Sequence, residues 1–138
     1  MIDKEIIKIA SNTENHGVLN NHTHSSKLKN AICGDEMKIY LIVENDTIKG
    51  FKYECESCIY CQASVSLLSR KAKNKPVQKI KVFAEQAKNC FGKSKNSFDK
   101  EWKEFDKIMT KSNISRKECL LLPLNTTIDA ISKKMYET

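Results

Sequence analysis

The chain has 138 residues with 40% hydrophobic content, and its 24 basic side chains outnumber 17 acidic ones to give a formal net charge of +7. This length is typical of one domain, so we predict a single domain over residues 1–138. The longest apolar runs, residues 39–43 and 119–124, are too short to cross a bilayer, and residues 1–5 lack the basic start of a signal peptide. These features exclude a membrane-spanning or secreted class, and we expect a cytoplasmic protein.

Basic charge is concentrated in the second half of the chain. Residues 67–138 hold 17 basic and 8 acidic side chains, whereas residues 1–66 hold 7 and 9. Such a surface could contact nucleic acid, but no arginine-rich strip or pattern of stacking aromatics accompanies the lysines. We therefore predict a solvated basic face and no nucleic-acid partner.

The first half of the chain predicts one short helix and a β-hairpin. Residues 3–10 carry isoleucines on one helical face, and residues 11–29 have the composition of a polar loop. That loop contains three histidines, which we expect to be solvated rather than metal ligands: His16, His22 and His24. Residues 37–43 and 47–55 alternate between apolar and polar side chains around a turn, as paired strands do. A third strand would have to come from the weakly patterned residues before Cys33.

The second half of the chain predicts helices. Helical periodicity runs from Cys58 to about Ala72, and a second apolar stripe spans residues 80–91 before Gly92. Residues 94–97 form a linker, and a last helix runs from near Leu122 to Met135. Four apolar residues between them repeat at helical spacing and are expected to pack in the core: Phe98, Trp102, Phe105 and Met109. This order predicts an α+β fold, with a small antiparallel sheet packed against several α-helices.

Six cysteines suggest metal or redox chemistry, because thiols clustered in a chain without an export signal are seldom disulfide-bonded. Cys55, Cys58 and Cys61 are evenly spaced, but the run does not continue as a ferredoxin motif does. A structural zinc site commonly uses two close cysteine pairs, and only one close group exists here. Cys90 lies on an apolar helical stripe, where a cysteine is usually a small buried hydrophobe.

The segment Cys33-Gly34-Asp35 places a thiol and a carboxylate two residues apart. In an extended segment these two side chains point the same way, so sulfur and oxygen could converge on one metal ion. Zinc and iron both accept this mixture of ligands. Because a carboxylate is a harder ligand than a thiolate, Asp35 would make such a site labile.

Several motifs together resemble one protein family. Residues 12–17 are similar to the family pattern Asn-Pro-x-Asn-x-Gly, and Cys33-Gly34-Asp35 leads into a strand as the family's Cys-Gly-Asp does. Cys58 precedes an Ala-Ser-x-Ser pattern at residues 63–66, and Cys119 corresponds to the third family cysteine before the last helix. The chain thus resembles the IscU/SufU iron–sulfur cluster assembly scaffolds, also found as the N-terminal domain of NifU. The resemblance implies a SufE/NifU-like fold.

The resemblance also implies a site and partners. Cys33, Asp35, Cys58 and Cys119 would bind zinc or a nascent [2Fe–2S] cluster, and Cys119 is the candidate persulfide acceptor. A cysteine desulfurase would supply sulfur, and apo iron–sulfur proteins would receive the cluster. Cys58 and Cys119 are each expected near a helix start, where the helix dipole favours the thiolate.

Details around Cys119 resemble the SufU branch more than the IscU branch. Arg116 gives the SufU pattern Arg-x-x-Cys, and Glu118 stands where IscU proteins have histidine. The long gap between Cys58 and Cys119 suits a SufU-type helical insertion at about residues 94–110. The Leu-Pro-Pro-Val-Lys chaperone motif of the IscU branch is absent before Cys119.

Three functions follow as alternatives. The first is a non-catalytic scaffold, the second is a zinc-dependent sulfurtransferase that activates the desulfurase, and the third is a metal-binding domain without assembly function. Cys61 lies one helical turn from Cys58, so it could hold a relayed sulfur atom, replace Asp35 as a ligand, or simply pack. Cys55 could point toward the site or into the core.

Overall fold

The computed structural model describes residues 4–31, 34–91 and 98–133. Three strands form one antiparallel sheet in the order β1-β2-β3, and helices cover it. The elements are α1 (Lys4–Ala10), β1 (His24–Lys29), β2 (Glu36–Glu44), β3 (Thr47–Glu56), α2 (Ile59–Lys71), α3 (Val77–Cys90), two 3₁₀ helices (Lys100–Lys107 and Lys111–Arg116) and α4 (Lys117–Ser132). The predicted α+β fold is confirmed.

The predicted hairpin is confirmed as β2 and β3. Asn45 and Asp46 form its tight turn with φ of 52° and 59°, because a two-residue turn that matches strand twist needs positive φ at both positions. The prediction of a loop through residue 29 is wrong for β1, which pairs with β2 from His24 opposite Leu41 to Lys29 opposite Glu36. Of the β1 residues only Ser26 is fully buried, so this strand carries no apolar alternation that could reveal it.

The core lies between the sheet and two helices. Met37, Ile39 and Leu41 of β2 are completely buried, and α4 packs across β1 and β2 while α2 packs against β3 and α4. The helix α1 lies on α2. The starts of α2 and α4 therefore meet near the same end of the sheet.

An aromatic cluster joins α3 to the first 3₁₀ helix. The Trp102 ring stacks on Phe83 at 4.3 Å between centroids, and Phe105 packs beside both. The predicted core role of these aromatics is confirmed, but the segment is a 3₁₀ helix, whose three-residue turn places Trp102 and Phe105 on one side. Gly92 and the linker at 94–97 lie outside the described residues.

The last helix begins at Lys117, about five residues before the predicted start. Proline usually ends a helix, because it lacks the N–H that bonds the carbonyl four residues earlier. The helix α4 nevertheless runs through Pro123, and Thr127 Oγ1 donates to the Pro123 carbonyl at 2.8 Å. The predicted start near Leu122 is wrong, and Cys119 lies within the first turn rather than ahead of the helix. The predicted end at Met135 lies outside the described residues.

Among the described helices, none combines the length and the apolar character needed to cross a bilayer.

Candidate metal centre

Three side chains from distant parts of the sequence converge at one end of the sheet. A ligand atom of Asp35, one of Cys58 and one of Cys119 all lie within 4.8 Å of one another. Asp35 and Cys119 are buried, whereas Cys58 is half-buried. Two sulfurs and one carboxylate oxygen at these separations can share one metal ion of the zinc or iron type.

A tight turn between β1 and β2 positions Asp35. The backbone N–H of Gly34 donates to the carbonyl of Asn30, and the Asn30 N–H donates to the carbonyl of Asp35, both at 2.7 Å. Gly34 has a φ of +74°, a conformation that side chains with a Cβ rarely adopt. Glycine at this position therefore allows the chain to fold back and place the carboxylate inside the molecule.

The carboxylate of Asp35 is only half satisfied by the described residues. Its Oδ1 accepts a hydrogen bond from the backbone N–H of Cys58 at 3.1 Å. Its Oδ2 is buried and has no hydrogen-bond partner in the described part of the chain. A buried acceptor without a partner costs free energy, so a free carboxylate oxygen on a residue of this cluster fits a metal ligand.

Both cysteines lie at helix starts. Cys58 is the N-cap of α2 with extended backbone angles, and Cys119 is the third residue of α4. Thiolate is the form of cysteine that binds metal, and both sulfurs belong to the three-ligand cluster. The predicted placement of both cysteines near helix starts is confirmed.

Asn30 is a site residue that the sequence analysis missed. It is buried, and its Nδ2 lies 4.0 Å from the sulfur of Cys119. Its main chain also closes the turn that holds Asp35. A polar amide just before Cys33-Gly34-Asp35 was the available signal, but the bounds of the preceding strand were not predicted.

The serines of the Ala-Ser-x-Ser pattern have a structural role. Ser64 is fully buried on α2, and its hydroxyl donates to the backbone carbonyl of Leu120 at 2.6 Å. Ser66 donates to the carbonyl of Asn12, also at 2.6 Å. The first bond fixes α2 against the turn of α4 that carries Cys119, and it therefore sets the separation of the two cysteines.

The motif at residues 12–17 holds the N-terminal loop against the same helix. Asn15 is buried, and its side chain donates to Ser69 Oγ and accepts from Lys73 Nζ, both at 3.1 Å. Gly17 has a φ of +139° and donates its N–H to the carbonyl of Tyr53 on β3 at 2.8 Å. The resemblance in this segment thus reflects packing, since none of its side chains belongs to the three-ligand cluster.

Arg116 lies at the N-cap of α4, and its guanidinium carbon is 5.1 Å from the centre of the Tyr60 ring. Tyr60 is the second residue of α2. A cation over an aromatic face is attractive, so this contact joins the two helix starts that carry Cys58 and Cys119.

The remaining cysteines differ in their surroundings. Cys33 lies outside the described residues, as does the side chain of Cys90. Cys61 is completely buried, and burial raises the pKa of its thiol far above the usual value. Cys55 is half-buried at the end of β3 and lines a cleft of about 430 Å³ together with His16 and charged side chains of the sheet. Burial raises the pKa of the Cys55 thiol as well.

Comparison with known proteins identifies relatives of this chain. The family model described as the NifU-like N-terminal domain matches residues 1–102. A curated relative, the iron–sulfur cluster assembly scaffold protein IscU of Thermotoga maritima, is 28% identical, and the match covers 96% of this chain and 94% of the relative.

Solved structures share the fold at low sequence identity. An N-terminal NifU-like protein from Brucella abortus superposes with a TM-score of 0.86 at 18% identity, covering 94% of this chain and 90% of that one. A SufU protein from Fervidobacterium islandicum, described as an iron–sulfur cluster assembly scaffold for the SUF system, gives a TM-score of 0.86 at 24% identity, and the match covers 95% of this chain and 96% of that one. Both likenesses extend over nearly the whole of each chain.

Proposed function

Because this chain belongs to the NifU-like N-terminal domain family, we propose that it is an iron–sulfur cluster assembly scaffold. The observation that carries the proposal is the convergence of Asp35, Cys58 and Cys119 within 4.8 Å at two helix starts. The relative from Thermotoga maritima is named as such a scaffold, and the match covers almost the full length of both chains. The proposal includes a single domain over residues 1–138. It also includes a cytoplasmic location, because thiols stay reduced there.

Cys33 completes the ligand set in this proposal. It lies two residues before Asp35 in the sequence, and the resemblance to the family implies that it is a ligand of the same centre. Three thiolates and one carboxylate would then surround zinc or a [2Fe–2S] cluster. The carboxylate is the weakest match for a soft cluster, which favours release of the cargo to an apo-protein over permanent retention.

Cys119 is the residue that we assign to sulfur acceptance. Its thiolate would attack the outer sulfur of a persulfide on a cysteine desulfurase, and the desulfurase thiolate would leave. Its sulfur belongs to the three-ligand cluster and lies in the first turn of α4. Asn30 Nδ2 at 4.0 Å would orient the sulfur.

A zinc-dependent sulfurtransferase is the second candidate, and the environment of Arg116 favours it. The contact between Arg116 and Tyr60 puts a cation beside both helix starts, and Glu118 replaces the histidine of the IscU branch. In this function zinc holds the thiolates until the desulfurase supplies a ligand and frees one cysteine for attack. The protein would then pass on sulfur without building a cluster.

One anaerobic experiment separates the two candidates. We would measure bound zinc and iron, then add desulfurase, cysteine and Fe²⁺ and record the absorption spectrum. A chromophore of an iron–sulfur cluster is expected for the scaffold. Tightly bound zinc with faster desulfurase turnover and no chromophore would identify the sulfurtransferase. If neither outcome is observed, the remaining function is a metal-binding domain without assembly activity.

Replacement of the acceptor tests the assignment within both functions. We expect Cys119→Ser to lose persulfide formation, measured by mass spectrometry after desulfurase treatment, because serine cannot hold a sulfane sulfur. Cys55→Ser is the matched control, since Cys55 lies outside the three-ligand cluster. Sulfur acceptance that survives in Cys119→Ser would show that the acceptor is another cysteine.

A further inference from the structure

Two cysteines occupy the first turn of α2 in an arrangement that the metal centre does not explain. Cys58 is the N-cap, half-buried at the edge of the molecule. Cys61 follows three residues later and is completely buried. In helical geometry, residues three apart have Cα atoms about 5 Å apart, and a disulfide needs a Cα separation of roughly 4.4–6.8 Å. This Cα separation permits a disulfide without unwinding the helix.

The difference in burial gives the two thiols different roles. Cys58 is half-buried and lies in the ligand cluster beside Cys119, so it can receive sulfur there, whereas Cys61 is enclosed by core side chains. Cys61 follows Cys58 in the first turn of α2, so it lies close to the metal centre without being among the three clustered ligands. An enclosed thiol beside an accessible one can react with its neighbour but not with a bulky external oxidant.

We propose that Cys58 and Cys61 form a redox-active dithiol that releases sulfide from a persulfide on Cys58. The source of that persulfide rests on the proposed function: the Cys58 thiolate attacks the outer sulfur of the Cys119 persulfide, whose sulfur lies within 4.8 Å in the ligand cluster, and the Cys119 thiolate leaves. Cys61 attacks the γ-sulfur of Cys58, an S–S bond forms between the two cysteines, and the bond between Cys58 and its outer sulfur breaks. The outer sulfur leaves as HS⁻ and takes the proton of the Cys61 thiol, giving H₂S.

The electrons balance within the chain. The outer sulfur gains two electrons and becomes sulfide, and the sulfurs of Cys58 and Cys61 each lose one on entering the disulfide. A low-molecular-weight thiol restores the dithiol by exchange. This chemistry matters because an iron–sulfur cluster contains sulfide, whereas a persulfide delivers sulfur in a more oxidised form.

Formation of the disulfide also determines when the step can occur. Once Cys58 is bonded to Cys61, its thiolate is no longer available to a metal ion. Sulfide release therefore precedes loading of the centre, and reduction of the disulfide returns Cys58 to the ligand set.

The dithiol can be tested without any sulfur donor. Metal-free protein is treated with oxidised glutathione, free thiols are alkylated, and peptides are mapped by mass spectrometry. We expect a Cys58–Cys61 disulfide in the wild type and in Cys55→Ser, and a stable glutathione adduct on Cys58 in Cys61→Ser. A Cys58 adduct that persists in the wild type, or a Cys58 disulfide to any other cysteine, would overturn the proposal.

A second measurement tests sulfide release. A desulfurase that already carries its persulfide is freed of cysteine and mixed with the protein in the absence of other thiols. The wild type should release about one sulfide for each disulfide formed, while Cys61→Ser should retain the persulfide. Equal sulfide from both would refute the release step, and a wild type that takes up no sulfur yet still forms the disulfide with glutathione would instead refute the proposed function. Cys61→Ala, with circular dichroism as the check of folding, guards against misfolding caused by a buried hydroxyl.

Discussion

At the scale of single residues, the free oxygen of Asp35 is the most informative feature of the molecule. Its partner oxygen is already engaged by the N–H of Cys58, so the carboxylate is held in place while one lone pair stays available in a buried position. This is preorganisation of a ligand, since the turn and not the metal fixes the carboxylate orientation.

Neutralising this carboxylate should weaken metal binding. Asp35→Asn keeps an acceptor for the Cys58 N–H but removes the negative charge, so we expect the affinity for Zn²⁺ to fall by at least about tenfold. Competition with a chromophoric chelator measures it. Asp46→Asn, in the exposed hairpin turn, is the control that should bind zinc normally. Unchanged affinity in Asp35→Asn would remove this residue from the ligand set.

The sequence indicated the three side chains that converge, Asp35, Cys58 and Cys119, better than it indicated how they are held. Cys58 and Asp35 lie in local sequence motifs that indicate metal ligation, and the family resemblance implied that they lie close together. Asn30 and the Ser64–Leu120 bond were not predicted, because they depend on contacts between segments 56 or more residues apart. Single-residue chemistry can be read from local patterns, whereas support from distant elements requires the fold.

At the scale of elements, the contact between α2 and α4 depends on a hydroxyl in an otherwise apolar interface. We expect Ser64→Ala to lower the free energy of unfolding by about 1–3 kcal/mol, because the Leu120 carbonyl loses its buried donor. Urea denaturation measures this change. Ser132→Ala is the control, since that hydroxyl makes an exposed bond at the far end of α4 and its loss should have little effect.

The first 3₁₀ helix attaches through its aromatic side chains. Trp102 is 2% exposed and stacks on Phe83, and the Lys75 ammonium lies 5.0 Å from its ring centre. Trp102→Ala should cost about 3–5 kcal/mol in unfolding free energy. Trp102→Phe, which keeps a stacking ring, should cost less.

Because this aromatic cluster contributes none of the clustered metal ligands, the Trp102 variants should bind zinc with wild-type affinity while they are folded. A loss of zinc binding in folded Trp102→Ala would contradict this separation of the two regions. The periodicity of aromatic residues predicted their burial, but it could not separate a 3₁₀ helix from an α-helix, because both place residues three apart near one face.

At the scale of the whole molecule, part of the basic charge forms ion pairs within the chain. Lys71 pairs with Glu104 at 2.6 Å and Lys79 with Glu101 at 3.1 Å, so two lysines of the basic run attach the 3₁₀ segment to the helices beside it. These ion pairs are exposed and each contributes little. They show that two lysines of the basic run contact other residues of the same chain.

Acid stability depends on the contact between β1 near the start of the chain and α4 near its end. The Ser26 hydroxyl, and then Lys133 at 3.2 Å, lower the pKa of the Asp129 carboxyl. A carboxyl with a lowered folded-state pKa stabilises the fold above its unfolded pKa, and that stabilisation is lost as pH falls through the folded-state pKa. We expect Asp129→Asn to be slightly less stable at neutral pH, with a shallower loss of stability toward about pH 3.

The urea midpoint measured across this pH range checks the prediction for Asp129. The effect should be small, because the side chain is 38% exposed and solvent screens the interaction. Glu85→Gln on the exposed face of α3 serves as the comparison and should follow the wild-type curve. If the urea midpoint of Asp129→Asn depends on pH in the same way as that of the wild type, the pKa of the Asp129 carboxyl does not change on folding.

The three clustered ligands come from a turn and two helices that are well separated along the chain. An ion bound there acts as a removable cross-link, because it closes two long loops that are open without it. Binding of the ion would therefore be linked to global stability, since the unfolded chain does not bring these atoms together. Release of the ion or cluster would then also lower the free energy of unfolding of the protein, and the empty protein would be the form most exposed to proteolysis.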